Sequence, residues 1–217
     1  MTTTENEADY SGKQLHILEA AERLFASHGF TGSSVRDIAQ EAGVNVAMIG
    51  YYFGSKEKLL FAVFKHRVDA SRMMLEHLLA DKNMEPLEKI DALVESIVER
   101  MLKHRDFHRV LLNAQLTTGN EELSRIIADI KLKNLELFRQ IITQGQRKKA
   151  FAKDVDTTML VLTLTGTIYQ VATGSAYLHG AFPQKDLSEQ AYDDLVKKKL
   201  KKHLKRTLKA ALIYEGH

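Results

Sequence analysis

Residues 35–56 read VRDIAQEAGVNVAMIGYYFGSK. Val35, Ile38, Ala39 and Ala42 recur at helical spacing, and so do Val44, Ile49 and Tyr52 after them. Between the two runs stands Gly43, the residue that most easily takes the left-handed conformation a tight corner requires. Ser34 followed by Asp37 has the form of a capping box, and Asn45 can cap the helix beyond the corner. Two short helices held at a fixed angle by a tight turn form a helix-turn-helix when the second is left exposed. Ala39 is small where a larger side chain would push the pair apart.

This arrangement leaves Asn45, Val46, Ala47 and Gly50 on the outer side of the second helix, free to enter a DNA major groove. Ser33, Ser34, Arg36, Tyr51 and Lys56 surround it with donors suited to phosphate oxygens. Ser55 caps the next helix, whose first amides add a positive dipole end. Tyr52 belongs to the same contact set, although it is expected to pack partly inward and Phe53 to be core. A phosphate role for Lys56 implies that Lys56→Ala weakens binding to all sequences and flattens its salt dependence.

Upstream, Ser11 and Gln14 form a second capping box, and Leu15, Leu18, Ala21, Leu24 and Phe25 predict a helix ended by Gly29. Downstream, a helix from Ser55 runs to about Leu79, and Pro86 opens another with Ile90, Leu93, Val94, Ile97, Val98 and Met101 on one face. A short helix with Phe107, Val110, Leu111 and Ala114 follows, then a long one ending near Gly145. Helices over 155–178 and 187–214 complete an all-α chain. The expected division is a helix-turn-helix domain over 1–55 and a helical effector-binding and dimerisation domain over 56–217.

Composition supports that class. With only two prolines and 44% hydrophobic against 27% charged residues, the 217-residue chain is neither disordered nor fibrous. Cysteine is absent, which excludes disulfides, thiolate metal sites and cysteine nucleophiles and fits a reducing cytoplasm. The N-terminus lacks a signal pattern, and no window approaches the roughly 18 apolar residues of a membrane span, so no membrane partner is expected. Net charge is +3, yet residues 1–56 hold four basic against seven acidic side chains. The positive charge concentrates at Lys197, Lys198, Lys199, Lys201, Lys202, Lys205, Arg206 and Lys209, read as the solvated face of the last helix.

The run AAERLFASHGFTGSSVRDIAQEAGVNVAMIGYYFGSKEKLL, within residues 14–62, resembles the TetR family of bacterial transcriptional regulators in order, spacing and residue type. The resemblance implies an all-helical homodimer: three N-terminal helices bind a palindromic operator, and the remaining helices bind a small-molecule effector that releases the DNA. It also implies a four-helix dimer interface built from the last two long helices and their copies, which the glycines and small residues Gly166, Gly174, Thr163, Thr165, Ala172 and Ser175 fit. Gly50 departs from the pattern, since many relatives carry tyrosine there.

Candidate effector-wall residues are Met101, Phe107, Leu111, Phe138 and Tyr169. His104 and His108 lie four apart, but Arg105 stands between them where a zinc protease needs glutamate, and no third ligand is evident, so no metal is expected. Neither a phosphate-binding glycine loop nor a nucleophile elbow occurs, so neither a cofactor nor an enzyme activity is expected. The competing reading is a helical interaction or carrier module without specific DNA binding, which a persistent monomer in solution would favour.

Overall fold

The computed structural model describes residues 10–105, 107–108, 121–183 and 187–213. Among them all regular structure is helical: α1 (Gly12–Gly32), α2 (Val35–Glu41), α3 (Val46–Phe53), α4 (Lys56–Ala80), α5 (Pro86–Lys103), α6 (Glu121–Arg147), α7 (Thr157–Thr173), α8 (Ser175–Ala181) and α9 (Glu189–Ile213). The described residues divide into two compact units, and the chain passes from the first to the second within α4, between Arg67 and Val68.

In the first unit, both capping boxes form as their spacing dictates, at Ser11 with Gln14 and at Ser34 with Asp37. Gly29 breaks the helical path at φ 74°, as expected, and a short further turn runs on to Gly32. Helix α1 packs on α2, and α2 on α3. Ile17, Leu18, Phe25, Ile38, Ile49 and Leu59 are fully buried. Two ion pairs fasten these elements: Arg23 of α1 with Glu41 of α2 at 3.1 Å, and Arg67 of α4 with Glu22 of α1 at 2.5 Å.

The second unit is built around α5, which packs against α6, α7 and α9. Its core joins Leu93 and Val94 of α5, Phe138 and Ile141 of α6, Leu164 of α7 and Leu204 of α9. Pro86 sits in the first turn of α5, where a missing amide costs nothing. Lys89, on the face expected to be apolar, is buried. Its ammonium donates to Gln144 Oε1 at 3.0 Å and reaches Leu79 O at 3.4 Å, and burial lowers its pKa.

Helix α6 ends at Arg147, near Gly145 as expected, and a side chain at Gly145 would overlap the ring of Phe151. Two expectations need correcting here. The helix expected over 155–178 is interrupted at Gly174, where an added Cβ would meet Gln170 O at 2.7 Å, so α7 and α8 are separate. Finally, the lysines of α9 are not all solvated, because those spaced four residues apart, Lys197, Lys201, Lys205 and Lys209, turn to α5. Lys209 pairs with Asp91, Lys205 with Glu95, Lys201 with Glu95 and Glu99, and Lys197 with Glu99. The ladder ascends one helix as it descends the other, so α5 and α9 are antiparallel.

Candidate nucleic-acid interface

Local chemistry fixes the corner first. Ser34 Oγ accepts from the amide of Asp37 at 3.1 Å and donates to Asp37 Oδ2 at 2.6 Å, while its own amide donates to the same carboxylate at 3.0 Å. The Ser34 hydroxyl and amide hold the Asp37 carboxyl below the usual aspartate range. Helix α2 ends as Ala42 N–H donates to Ile38 O at 2.9 Å, and Gly43 then turns the chain at φ 65°. Val44 N–H returns to Ala39 O at 2.9 Å, closing the corner onto α2. Asn45 Oδ1 caps α3 by accepting from Ala47 N–H at 2.8 Å.

Burial then decides which side of α3 is presented. Ile49 and Phe53 are inside, whereas Asn45, Val46, Ala47, Gly50 and Tyr51 are exposed, Tyr51 by 84%. A Cβ added at Gly50 would touch nothing within 4 Å. Tyr51 stands edge-on to half-buried Tyr52 at 5.2 Å, so the tyrosine pair leads from surface to core. Arg36 is exposed on α2. Gly54 ends α3 at φ 81°, and Ser55 Oγ accepts from Lys58 N–H at 3.1 Å to start α4.

Three of the expected phosphate donors face other tasks. Ser33 is buried, and its hydroxyl donates to Gly29 O at 2.8 Å and Leu24 O at 3.0 Å. Lys56 Nζ donates inward to Phe30 O at 2.8 Å and Ser33 O at 3.0 Å. The Ser34 proton is committed to its cap. Local spacing could not foretell the role of Lys56, since its partners lie 23 and 26 residues earlier. The ion pairs of Arg23 and Arg67, also missed, span long separations too and leave no local signal.

Of the effector-wall candidates, Phe138 belongs to the core of the second unit, and Met101 packs against that core. Phe107 is buried with its ring 5.6 Å from that of His108, and Tyr169 is half-buried. Leu111 lies outside the described residues. A shallow groove of about 410 Å³ is found elsewhere, lined by Glu95, Asp194 and the α9 lysines. Its walls are the ion-pair ladder, so it is no apolar effector site.

Residues 17–63, which span the corner and α3, match the family model described as "Bacterial regulatory proteins, tetR family". Residues 86–200 match the model for a "Tetracyclin repressor-like, C-terminal domain". This chain belongs to the tetR family. It is 32% identical over 155 residues to the HTH-type transcriptional repressor NicS of Pseudomonas putida, covering 71% of this chain and 73% of that one. Among solved structures it shares its fold with the fatty acid degradation regulator FadR from Bacillus halodurans, with a TM-score of 0.66, 23% identity and coverage of 90% and 96%. FadR from Bacillus subtilis, solved in complex with stearoyl-CoA, gives a TM-score of 0.65 at 22% identity, covering 88% and 96%. The tetR-family chain is thus a DNA-binding transcriptional regulator, and the exposed face of α3 lies in the segment that this family shares. No helix among the described residues is long and apolar enough to cross a membrane.

Proposed function

We propose that this regulator is a cytoplasmic repressor that binds a palindromic operator as a homodimer and leaves it when a small molecule occupies the second unit. The observation that carries the DNA part is the outward set Asn45, Val46, Ala47, Gly50 and Tyr51, held by a helix whose opposite face is core. Such a helix can offer side chains to base edges without unfolding anything. Arg36 on the neighbouring helix supplies an exposed cation for phosphate.

Dimerisation is supported by the outer side of α7. Met159 and Leu162 are more than half exposed there, and Thr163 and Gly166 continue the same stripe. Nothing in the chain lies within 4 Å of a Cβ added at Gly166, so its own packing does not account for a glycine that weakens the helix. A second copy seated on that stripe does. Two α3 helices related by a two-fold axis then face successive major grooves.

Effector release follows if the ligand binds one separation of the two reading helices better than another. Phe138, Met101, Phe107 and Tyr169 remain the wall residues proposed for it. The repressor sign takes support from the name of the Pseudomonas relative. A mobility-shift titration with duplex from upstream of the protein's own gene tests the reading: a shifted band that resists random competitor DNA is expected. Equal affinity for random duplex would overturn it.

A further inference from the structure

Lys56 is the first residue of α4, three positions beyond the end of α3. Its ammonium does not point to solvent. It donates to Phe30 O at 2.8 Å and Ser33 O at 3.0 Å, and stands 4.3 Å over the centre of the Phe30 ring. Both carbonyls belong to the stretch where α1 has been broken at Gly29 and the chain passes to the cap of α2. Carbonyls at a helix end lack intrahelical partners and carry the negative end of the dipole, so a cation there satisfies both needs. Ser33 completes the arrangement from within, its buried hydroxyl reaching Gly29 O and Leu24 O.

We propose that Lys56 and Ser33 form a clasp that positions the reading helix, and that Lys56 is a positioning residue and not a phosphate ligand. The clasp ties the link entering α2 to the residue leaving α3, so it fixes both ends of the helix-turn-helix at one point. This assignment rests on the reading of α3 as the groove-facing helix. Two of the three ammonium protons are placed on carbonyls and the cation sits over an aromatic ring, so a phosphate would have at most the third proton to itself.

The test uses full-length protein carrying Lys56→Met, which keeps the stem over Phe30 and removes the charge, and Lys56→Arg, which keeps the charge and changes the shape of the head. Thermal melts are recorded without DNA, and operator affinity is titrated across salt concentrations. The clasp predicts that both variants melt below the parent, with Lys56→Met losing operator affinity at an unchanged slope of log affinity against log salt. A phosphate ligand predicts parental melting for both and a slope reduced by about 0.9 for Lys56→Met, and that result overturns the proposal. If Lys56→Met fails to fold, the melting of Lys56→Arg decides alone: lowered for a clasp, parental for a ligand. Absence of operator preference in the parent would sink the α3 reading instead, and the DNA-free melts would still judge the clasp.

Discussion

Lys201 on α9 lies 2.5 Å from Glu95 and 2.5 Å from Glu99 on α5, one ammonium shared by two carboxylates a helical turn apart. Hydrogen bonds from Lys201 hold both carboxyls below the usual glutamate range, with Lys205 adding to the effect at Glu95 and Lys197 at Glu99. Burial alone would lower the pKa of Lys201, but the two carboxylates outweigh it and raise it.

The signs set a pH window. A glutamate whose folded pKa is depressed stabilises the fold above its unfolded value, about 4.3, and that contribution is lost as pH falls through the lowered folded value. The raised pKa of Lys201 marks a contribution that is fully present below its unfolded value, about 10.4, and is lost only as pH rises through the higher folded value, so it does not change across this acid window. The Lys201→Met variant should therefore melt below the parent at neutral pH, and the gap should close in acid, as melts recorded from pH 7 down to pH 3 will show. Because the carboxylates are about half exposed, each pair is worth no more than ~1 kcal/mol.

How much of this was legible in the chain depends on the distance over which each contact acts. Ser34 with Asp37, Ser11 with Gln14, Gly43 and Asn45 speak to neighbours within three residues, and their roles follow from spacing. Lys56 answers partners 23 and 26 residues earlier, so it looked like a surface donor, and the partner of Arg67 lies 45 residues away. The ladder lies between. Acids at Asp91, Glu95 and Glu99 repeat every fourth residue, as do Lys197, Lys201, Lys205 and Lys209, so the matching periods suggest a paired ladder, while its antiparallel sense appears only in the structure. Gly145 and Gly174 were visible as glycines, but what each makes room for was not.

Gly145 gives a prediction whose sign separates two causes. Helix propensity favours Gly145→Ala by about 0.5–1 kcal/mol. The Phe151 ring occupies the space a methyl would need, and overpacking of a core costs about 1–3 kcal/mol. The variant should melt several degrees lower; a rise in melting temperature would remove the Phe151 explanation.

Gly50 is the converse case. Its added Cβ meets open space on the exposed face of α3, so Gly50→Ala should stabilise the free protein by about 0.5–1 kcal/mol. The approach of this face to base edges proposed above would make the same methyl costly in the complex. Higher melting temperature with weaker operator binding is the expected pair of results, read by calorimetry and band shift on one preparation.

Arg36 and Tyr51 divide the labour differently. Arg36→Ala should lower affinity for operator and random duplex alike, reducing the salt slope by about 1. Tyr51→Ala should leave that slope nearer the parent's and reduce preference for operator. Both residues are exposed, so melting temperatures should stay within about a degree of the parent. Competition titrations at several salt concentrations measure both effects.

The proposed two-fold assembly can be tested on α7 without touching the residues proposed to face DNA. Leu162 is 56% exposed, and replacement of so open a residue in an isolated chain changes stability by only about 0.5 kcal/mol. Placed at the centre of an apolar stripe with Met159 and Gly166, it would be desolvated by a second copy. A glutamate there would then be buried without a partner in each protomer, a cost of several kcal/mol. Sedimentation of Leu162→Glu should show monomers where the parent is dimeric. Operator affinity should fall steeply as well, because a lone α3 reads only half a site and forfeits the gain from binding both halves together. A variant that remained dimeric and bound operator normally would move the interface away from α7.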